Sequence, residues 1–202
     1  MSSRDFILDR VRRNQPAPLP LPEMPRFERP PAPLWEAFAA ALARMGGVVA
    51  EAPARDQLNR LISERFPAAK VICSATPELR GTRDLAAIRN PGELEDVDLG
   101  IVRGAFGVAE TGSVYLSESE LGINALGFLP QHLLVLLDPA AIVPDLHHAY
   151  RQRGFFEARY VVLMTGPSAT ADIEGVLIRG AQGIRSFTLV PLANPAASPT
   201  PT

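Results

Sequence analysis

The chain has 202 residues, 47% of them hydrophobic, and a formal net charge of −2. That length and apolar content suit one domain with a sizeable core. The near-neutral charge gives no electrostatic case for nucleic acid or an anionic membrane as the main partner. No stretch is long and apolar enough to span a bilayer.

Residues 3–13 (Ser-Arg-Asp-Phe-Ile-Leu-Asp-Arg-Val-Arg-Arg) predict a short helix, with a serine cap and early Asp at its start and arginines at its end. Charges interrupt its apolar residues, so it does not read as a signal peptide, and the cytoplasm is the expected compartment. A proline-rich connector follows from Gln15 to Pro33, carrying Pro16, Pro18, Pro20, Pro22, Pro25, Pro30, Pro31 and Pro33, and is expected to be extended. Residues 1–33 therefore form a tethered arm, whose Phe6, Ile7 and Val11 favour docking on another surface, such as a second copy of the chain.

The globular part is expected over 34–193. Leu34, Phe38, Leu42 and Met45 recur at helical spacing and stop at Gly46-Gly47. A short strand at Val48–Ala50, a helix from Arg55 to Arg65 and a strand from Lys70 to Ser74 follow. This β–α alternation argues for a parallel sheet flanked by helices. After a polar stretch from Thr76 to Glu95, strands are predicted at Val97–Val102, Ser113–Leu116 and Leu133–Leu137. A helix is predicted from Pro144 to Gly154, a strand from Tyr160 to Met164, a short helix from Thr170 to Ile178 and a last strand at Phe187–Val190. Residues 194–202, rich in Ala, Ser and Pro, read as a disordered tail.

Two polar runs carry the functional argument. In Ala109-Glu110-Thr111-Gly112-Ser113 the hydroxyls and exposed amides suit an anion, and Glu110 suits an acid, base or nucleophile. A plain turn, with Thr111 and Ser113 bonding their own backbone, is the favoured reading from local chemistry alone, because turns of this composition are common. In Thr165-Gly166-Pro167-Ser168-Ala169-Thr170-Ala171-Asp172-Ile173-Glu174, Ser168 or Thr170 would cap the predicted helix, and Asp172 and Glu174 would suit its first turn. Ligand sites in open sheets gather beyond the carboxyl ends of strands, so the two runs are expected side by side at one edge.

The remaining chemistry-bearing residues are few. Cys73 is the single cysteine, which excludes an internal disulfide or a Cys-ligated cluster built by this chain alone. Lys70 is the single lysine, and there is no Gly-Lys-Ser/Thr sequence of a P-loop. The histidines are His132, His147 and His148; neighbours diverge by about 100° on a helix, so no metal site is expected. His132 sits where a loop enters an apolar strand, as an edge histidine or a base.

Read together, these residues resemble the lactate utilization protein C family of LUD-domain proteins. The resemblance is carried by Asp98-Leu99-Gly100-Ile101, residues 109–113, Leu129-Pro130 with His132, residues 165–168 with 170–174, and Gly180 with Gly183. The sequence departs from the family at Ala181-Gln182-Gly183-Ile184, where relatives read His-Gly-Pro, and at Ala169, where relatives carry a larger, often basic residue. Gln182 cannot titrate. The resemblance implies a three-layer α/β/α fold with a largely parallel sheet, like ribose-5-phosphate isomerase and CoA-transferases. It also implies a place in a system oxidising L-lactate to pyruvate, whose iron–sulfur partner subunits carry the electrons. With one cysteine this chain would be the accessory, non-redox subunit, holding no cofactor of its own and binding a small anion. The expected ligand-binding residues are Glu110, Thr111, Gly112, Ser113, His132, Thr165, Gly166, Pro167, Ser168, Thr170, Asp172 and Glu174. The alternative is a free-standing isomerase- or acyl-CoA-transferase-like enzyme using Glu110, by analogy of fold alone.

Overall fold

The computed structural model describes residues 2–20, 22, 33–51, 54–152 and 154–194. Pro25, Pro30 and Pro31 of the connector and the expected tail beyond Asn194 lie outside the described residues.

Helix α1 (Ser3–Arg13) opens on a capping box in which the Ser2 hydroxyl accepts from the Asp5 amide (3.1 Å) and the Asp5 carboxylate accepts from the Ser2 amide (3.1 Å). It buries none of its residues; Phe6, Ile7 and Val11 are each more than half exposed. Helix α2 (Leu34–Arg44) buries Phe38, Ala41 and Leu42; of the stripe its periodicity foretold, Phe38 and Leu42 are buried, Leu34 is half-buried and Met45, at the cap, is exposed. Strand β1 (Val48–Val49) follows, then a 3-10 turn at Arg55–Gln57 running into α3 (Leu58–Arg65), and β2 (Ile72–Ser74). The polar stretch after β2 holds two short 3-10 turns, Leu85–Ala87 and Pro91–Leu94.

Next come β3 (Leu99–Arg103), β4 (Phe106–Val108), β5 (Ser113–Ser117), α4 (Glu118–Leu121), β6 (His132–Leu137), β7 (Ile142–Val143), α5 (Leu146–Ala149) and α6 (Gly154–Glu157). The chain ends with β8 (Val161–Met164), β9 (Ala169–Thr170), β10 (Ile178–Arg179) and β11 (Ser186–Pro191). Five strands form the main sheet in the order β1-β11-β6-β3-β2, every neighbouring pair parallel.

Strands of such a sheet are covered on both faces, so they read as continuous apolar runs. Here Leu133, Val135, Leu137, Phe187 and Leu189 pack on one side with Phe38 and Leu42 of α2. Leu99, Ile101, Leu134, Leu136 and Val190 face the other side, under Leu58 and Ile62 of α3. The layer holding α2 also contains a second sheet, β7-β4-β5-β8. Val114 and Leu116 of β5 point from it into the shared core, while Phe106, Val108 and Tyr115 face a small outer core closed by Ala149 of α5 and Phe155 of α6. The expected α/β class with a mostly parallel sheet is the observed one. No helix among the described residues is long and apolar enough to cross a membrane.

Two predicted helices are corrected. The Pro144–Gly154 helix is reduced to the four residues of α5, capped by Asp145, whose carboxylate accepts from the His148 amide (2.9 Å) and bonds its Nδ1 (2.7 Å). The Thr170–Ile178 helix does not form. Thr170 pairs with Ile178 and Ala169 with Arg179 in an antiparallel hairpin. Its turn is closed by the Val176 amide donating to the Ile173 carbonyl (3.1 Å), and the two central residues, Glu174 and Gly175, both take positive φ (54° and 70°). Two successive positive φ values reverse the chain with the twist a hairpin needs and are incompatible with a helix.

Candidate functional site

The turn after β4 and the segment after β8 meet. Strands β5 and β8 pair antiparallel with Val114 opposite Met164, which sets Ser113 at the head of β5 beside Thr165 just past β8. The Ser113 and Thr165 hydroxyls are 2.5 Å apart and the Thr111 and Ser113 hydroxyls 2.7 Å apart. Two links in a chain of three hydroxyls use two of the three protons, leaving one O–H to donate outside the chain. Glu110 is held from the other side, its Oε2 accepting the amide of Leu146 (3.3 Å).

Gly112 and Gly166 bring this turn and segment against the end of α2. A Cβ on Gly112 would lie 2.2 Å from the backbone nitrogen of Leu42, and one on Gly166 would lie 2.9 Å from the carbonyl oxygen of Met45. The result is a cleft of about 380 Å³ lined by Ala41, Arg44 and Met45 of the α2 end with Glu110, Thr111, Ser113 and Thr165. It offers a hydroxyl donor, a guanidinium and a carboxylate within one concavity. The cleft lies beyond the carboxyl ends of β4 and β8 in the second sheet. It does not lie beyond those of the main parallel sheet, whose edge strand β1 is entered from this side through Gly46-Gly47. Nothing in the sequence marked Ala41, Arg44 or Met45 as part of a site, because a helix end reads the same whatever it packs on.

The rest of the expected set is distributed differently. Gly166 and Pro167 are buried. The backbone of Ser168 is tied on both sides, its amide to the Ile184 carbonyl (3.1 Å) and its carbonyl to the Gly180 amide (2.6 Å). The Thr170 hydroxyl accepts the Asp172 amide (3.2 Å), and Asp172 and Glu174 are exposed on the hairpin. Ser168, Thr170, Asp172 and Glu174 do not line the cleft, and the capping and macrodipole roles assigned to them fall with the helix. The hairpin instead returns Arg179 over α2, where its guanidinium donates to the Arg44 carbonyl (3.2 Å), a cation at a helix carboxyl end.

His132 is not brought into this cleft. It opens β6, its Nδ1 2.7 Å from the Ser186 hydroxyl and its ring 5.3 Å from that of Phe66. Burial, and then the charge of Arg185, hold its pKa below the usual imidazole value. Cys73 is fully buried in β2 with its thiol pKa pushed up by burial, the behaviour of a small apolar side chain. Among the described residues no group of three or more His, Cys, Asp or Glu is placed to hold a metal ion.

Residues 89–190, half of the chain, match the LUD domain family. The chain belongs to that family. The match runs from β3 through β10 and nearly all of β11, and with them covers both halves of the cleft except the α2 end. This LUD domain is 32% identical over 101 residues to the uncharacterized protein YkgG of Escherichia coli, covering 46% of this chain and 43% of that protein. It is 27% identical over 133 residues to the lactate utilization protein C of Geobacillus kaustophilus, covering 62% of this chain and 52% of that protein. The chain thus spans about half the length of the curated relatives it matches. In fold it is similar to the crystal structure of a DUF162 family protein from Deinococcus radiodurans, with a TM-score of 0.62 and 15% identity, covering 80% of this chain and 98% of that one.

Proposed function

We propose that this LUD domain is the accessory, non-redox subunit of a system that oxidises L-lactate to pyruvate, binding a small anion in the Glu110 cleft and docking on iron–sulfur partner subunits. The observation that carries this reading is family membership, joined to relatives named lactate utilization protein C. The single, buried cysteine supports the non-redox part, since Cys-ligated clusters need several thiolates from one site. The hydroxyl chain and Arg44 support the anion part, because a carboxylate is matched by a guanidinium and an O–H donor. The test is deletion of the gene with growth on lactate as sole carbon source, and capture of tagged full-length chain from lactate-grown cells. Loss of growth and co-purification of a cysteine-rich iron–sulfur protein are expected. Unchanged growth with no such partner refutes the reading.

The position of Glu110 on the cleft wall favours a second reading, an isomerase- or acyl-CoA-transferase-like enzyme using that carboxylate. A Glu110→Gln variant retaining full turnover in any activity found removes it.

A further inference from the structure

A second concavity, of about 530 Å³, lies at the amino ends of β3, β6 and β11 and is walled by the turn that follows α3. Its volume is in the range of small-molecule sites. Phe66 and His132 supply an aromatic wall, their rings 5.3 Å apart. The His132 ring is fixed by the Ser186 hydroxyl at 2.7 Å.

Arg65, the last residue of α3, and Arg185, just before β11, line the same pocket. Among the described residues neither pairs with a carboxylate, unlike Arg13, Arg60, Arg83 and Arg103 but like Arg44 and Arg179, so what sets the two apart is that they share one concavity. Arg65 spends its Nε on the Thr188 hydroxyl (3.2 Å), and among the described residues neither of its Nη groups has a hydrogen-bond acceptor. The Arg185 amide donates to the Gln131 carbonyl (2.8 Å), tying its backbone to the pocket rim. One carboxylate, Asp98, shares the pocket, and one of its oxygens already accepts the amides of Lys70 (2.7 Å) and Val71 (2.9 Å). A guanidinium without a carboxylate beside an aromatic wall is the pairing that recognises an anion carried on a planar body.

We propose that this pocket binds an organic anion, its carboxylate or phosphate held by Arg65 and Arg185 and its aromatic or apolar body lying against Phe66. The site is separate from the Glu110 cleft and does not rest on the lactate reading.

The test is calorimetric titration of the full chain with 5′-AMP, benzoate, adenosine and inorganic phosphate, with the His132 ring proton signals followed in parallel. With three histidines in the chain, a His132→Gln variant assigns that signal. Saturable binding of 5′-AMP or benzoate that moves the His132 signal is expected, with adenosine and phosphate weaker by about tenfold or more. The two anions distinguish a phosphate from a carboxylate ligand. Arg65→Gln and Arg185→Gln, both exposed positions, should each weaken binding by about tenfold. No saturation by either organic anion up to about 10 mM, a His132 signal that does not move, or an affinity unchanged in either arginine variant overturns the proposal.

Discussion

Substituting Gly112 separates two physical effects that usually arrive together. Gly112 has φ +71° and Gly175 has φ +70°, so Gly→Ala imposes nearly the same left-handed backbone cost at both. That cost is about 1 kcal/mol. Their surroundings are opposite. A Cβ at 175 meets nothing within 4 Å, whereas at 112 it would sit 2.2 Å from Leu42 N, 2.7 Å from Ala41 C and 2.7 Å from Leu42 Cα. These are backbone atoms of α2, and Leu42 is fully buried, so no side-chain rotation relieves the clash. The helix itself must shift, at the upper end of the roughly 1–3 kcal/mol typical of overpacking. Gly112→Ala is thus expected to lose about 3–4 kcal/mol, against about 1 kcal/mol for Gly175→Ala. In a domain stable by about 5–15 kcal/mol the first loss is plain in urea unfolding followed by circular dichroism. Failure of Gly112→Ala to fold beside a well-folded Gly175→Ala is the extreme form of the same result. Losses equal within about 0.5 kcal/mol would refute the claim that close approach of the turn to α2, rather than turn geometry, demands glycine at 112.

Two further outcomes follow from groups outside the cleft. The Lys70 and Val71 amides, bonded to Asp98, hold its carboxyl below its ordinary value; a folded pKa lying below the unfolded one contributes stability above the unfolded value, near 3.9, that disappears as pH falls through the folded one. Asp98→Asn should therefore lower the urea midpoint at pH 7 and close the gap to wild type as pH drops below about 4, and a gap independent of pH would contradict this. Helix α1 buries nothing of its own, so deleting residues 1–20 should leave the unfolding midpoint unchanged while weakening self-association or partner capture; an unchanged sedimentation profile with full partner retention would show the arm to be passive.

The sequence was most legible where one force dominated. Leu133–Leu137 and Phe187–Val190 are apolar without interruption because both faces of β6 and β11 are covered, and a run that short between turn residues has few alternatives to a buried strand. Helix α2 was equally readable from Leu34, Phe38 and Leu42. Strands β4, β7, β9 and β10 are two or three residues each and, unlike the equally short β1 and β2, do not follow a helix in a β–α alternation that marks them, so their pairing comes from tertiary contact. The 165–174 run misled for a specific reason. A hydroxyl before two acidic residues is the signature of a helix start, yet Glu174-Gly175 also suits a primed hairpin turn, and the β-branched Ile173, Val176 and Ile178 tip the balance toward the hairpin. Of the expected ligand set, the members that do converge, Glu110, Thr111, Ser113 and Thr165, lie at the ends of strands that pair with each other or follow directly from them. Asp172 and Glu174 belong to a hairpin placed by contacts the sequence does not show, the Ser168 bonds to Ile184 and Gly180 and the Arg179 bond to Arg44.

The cleft therefore depends on the core more directly than its polar lining suggests. Phe38 and Leu42 seat α2 on the main sheet, and the same helix presents Arg44 and Met45 to the hydroxyl chain within its last turn. Gly112 and Gly166 let the second sheet press its two turns against that end, so the distance between Arg44 and the Ser113–Thr165 pair is set by buried packing rather than by a loop. A site mounted this way is held by rotamers that cannot relax independently of the core. The Thr111, Ser113 and Thr165 hydroxyls are tied to one another before any ligand arrives, whereas the exposed Arg44 side chain would be ordered by a bound anion, at a cost in rotamer freedom.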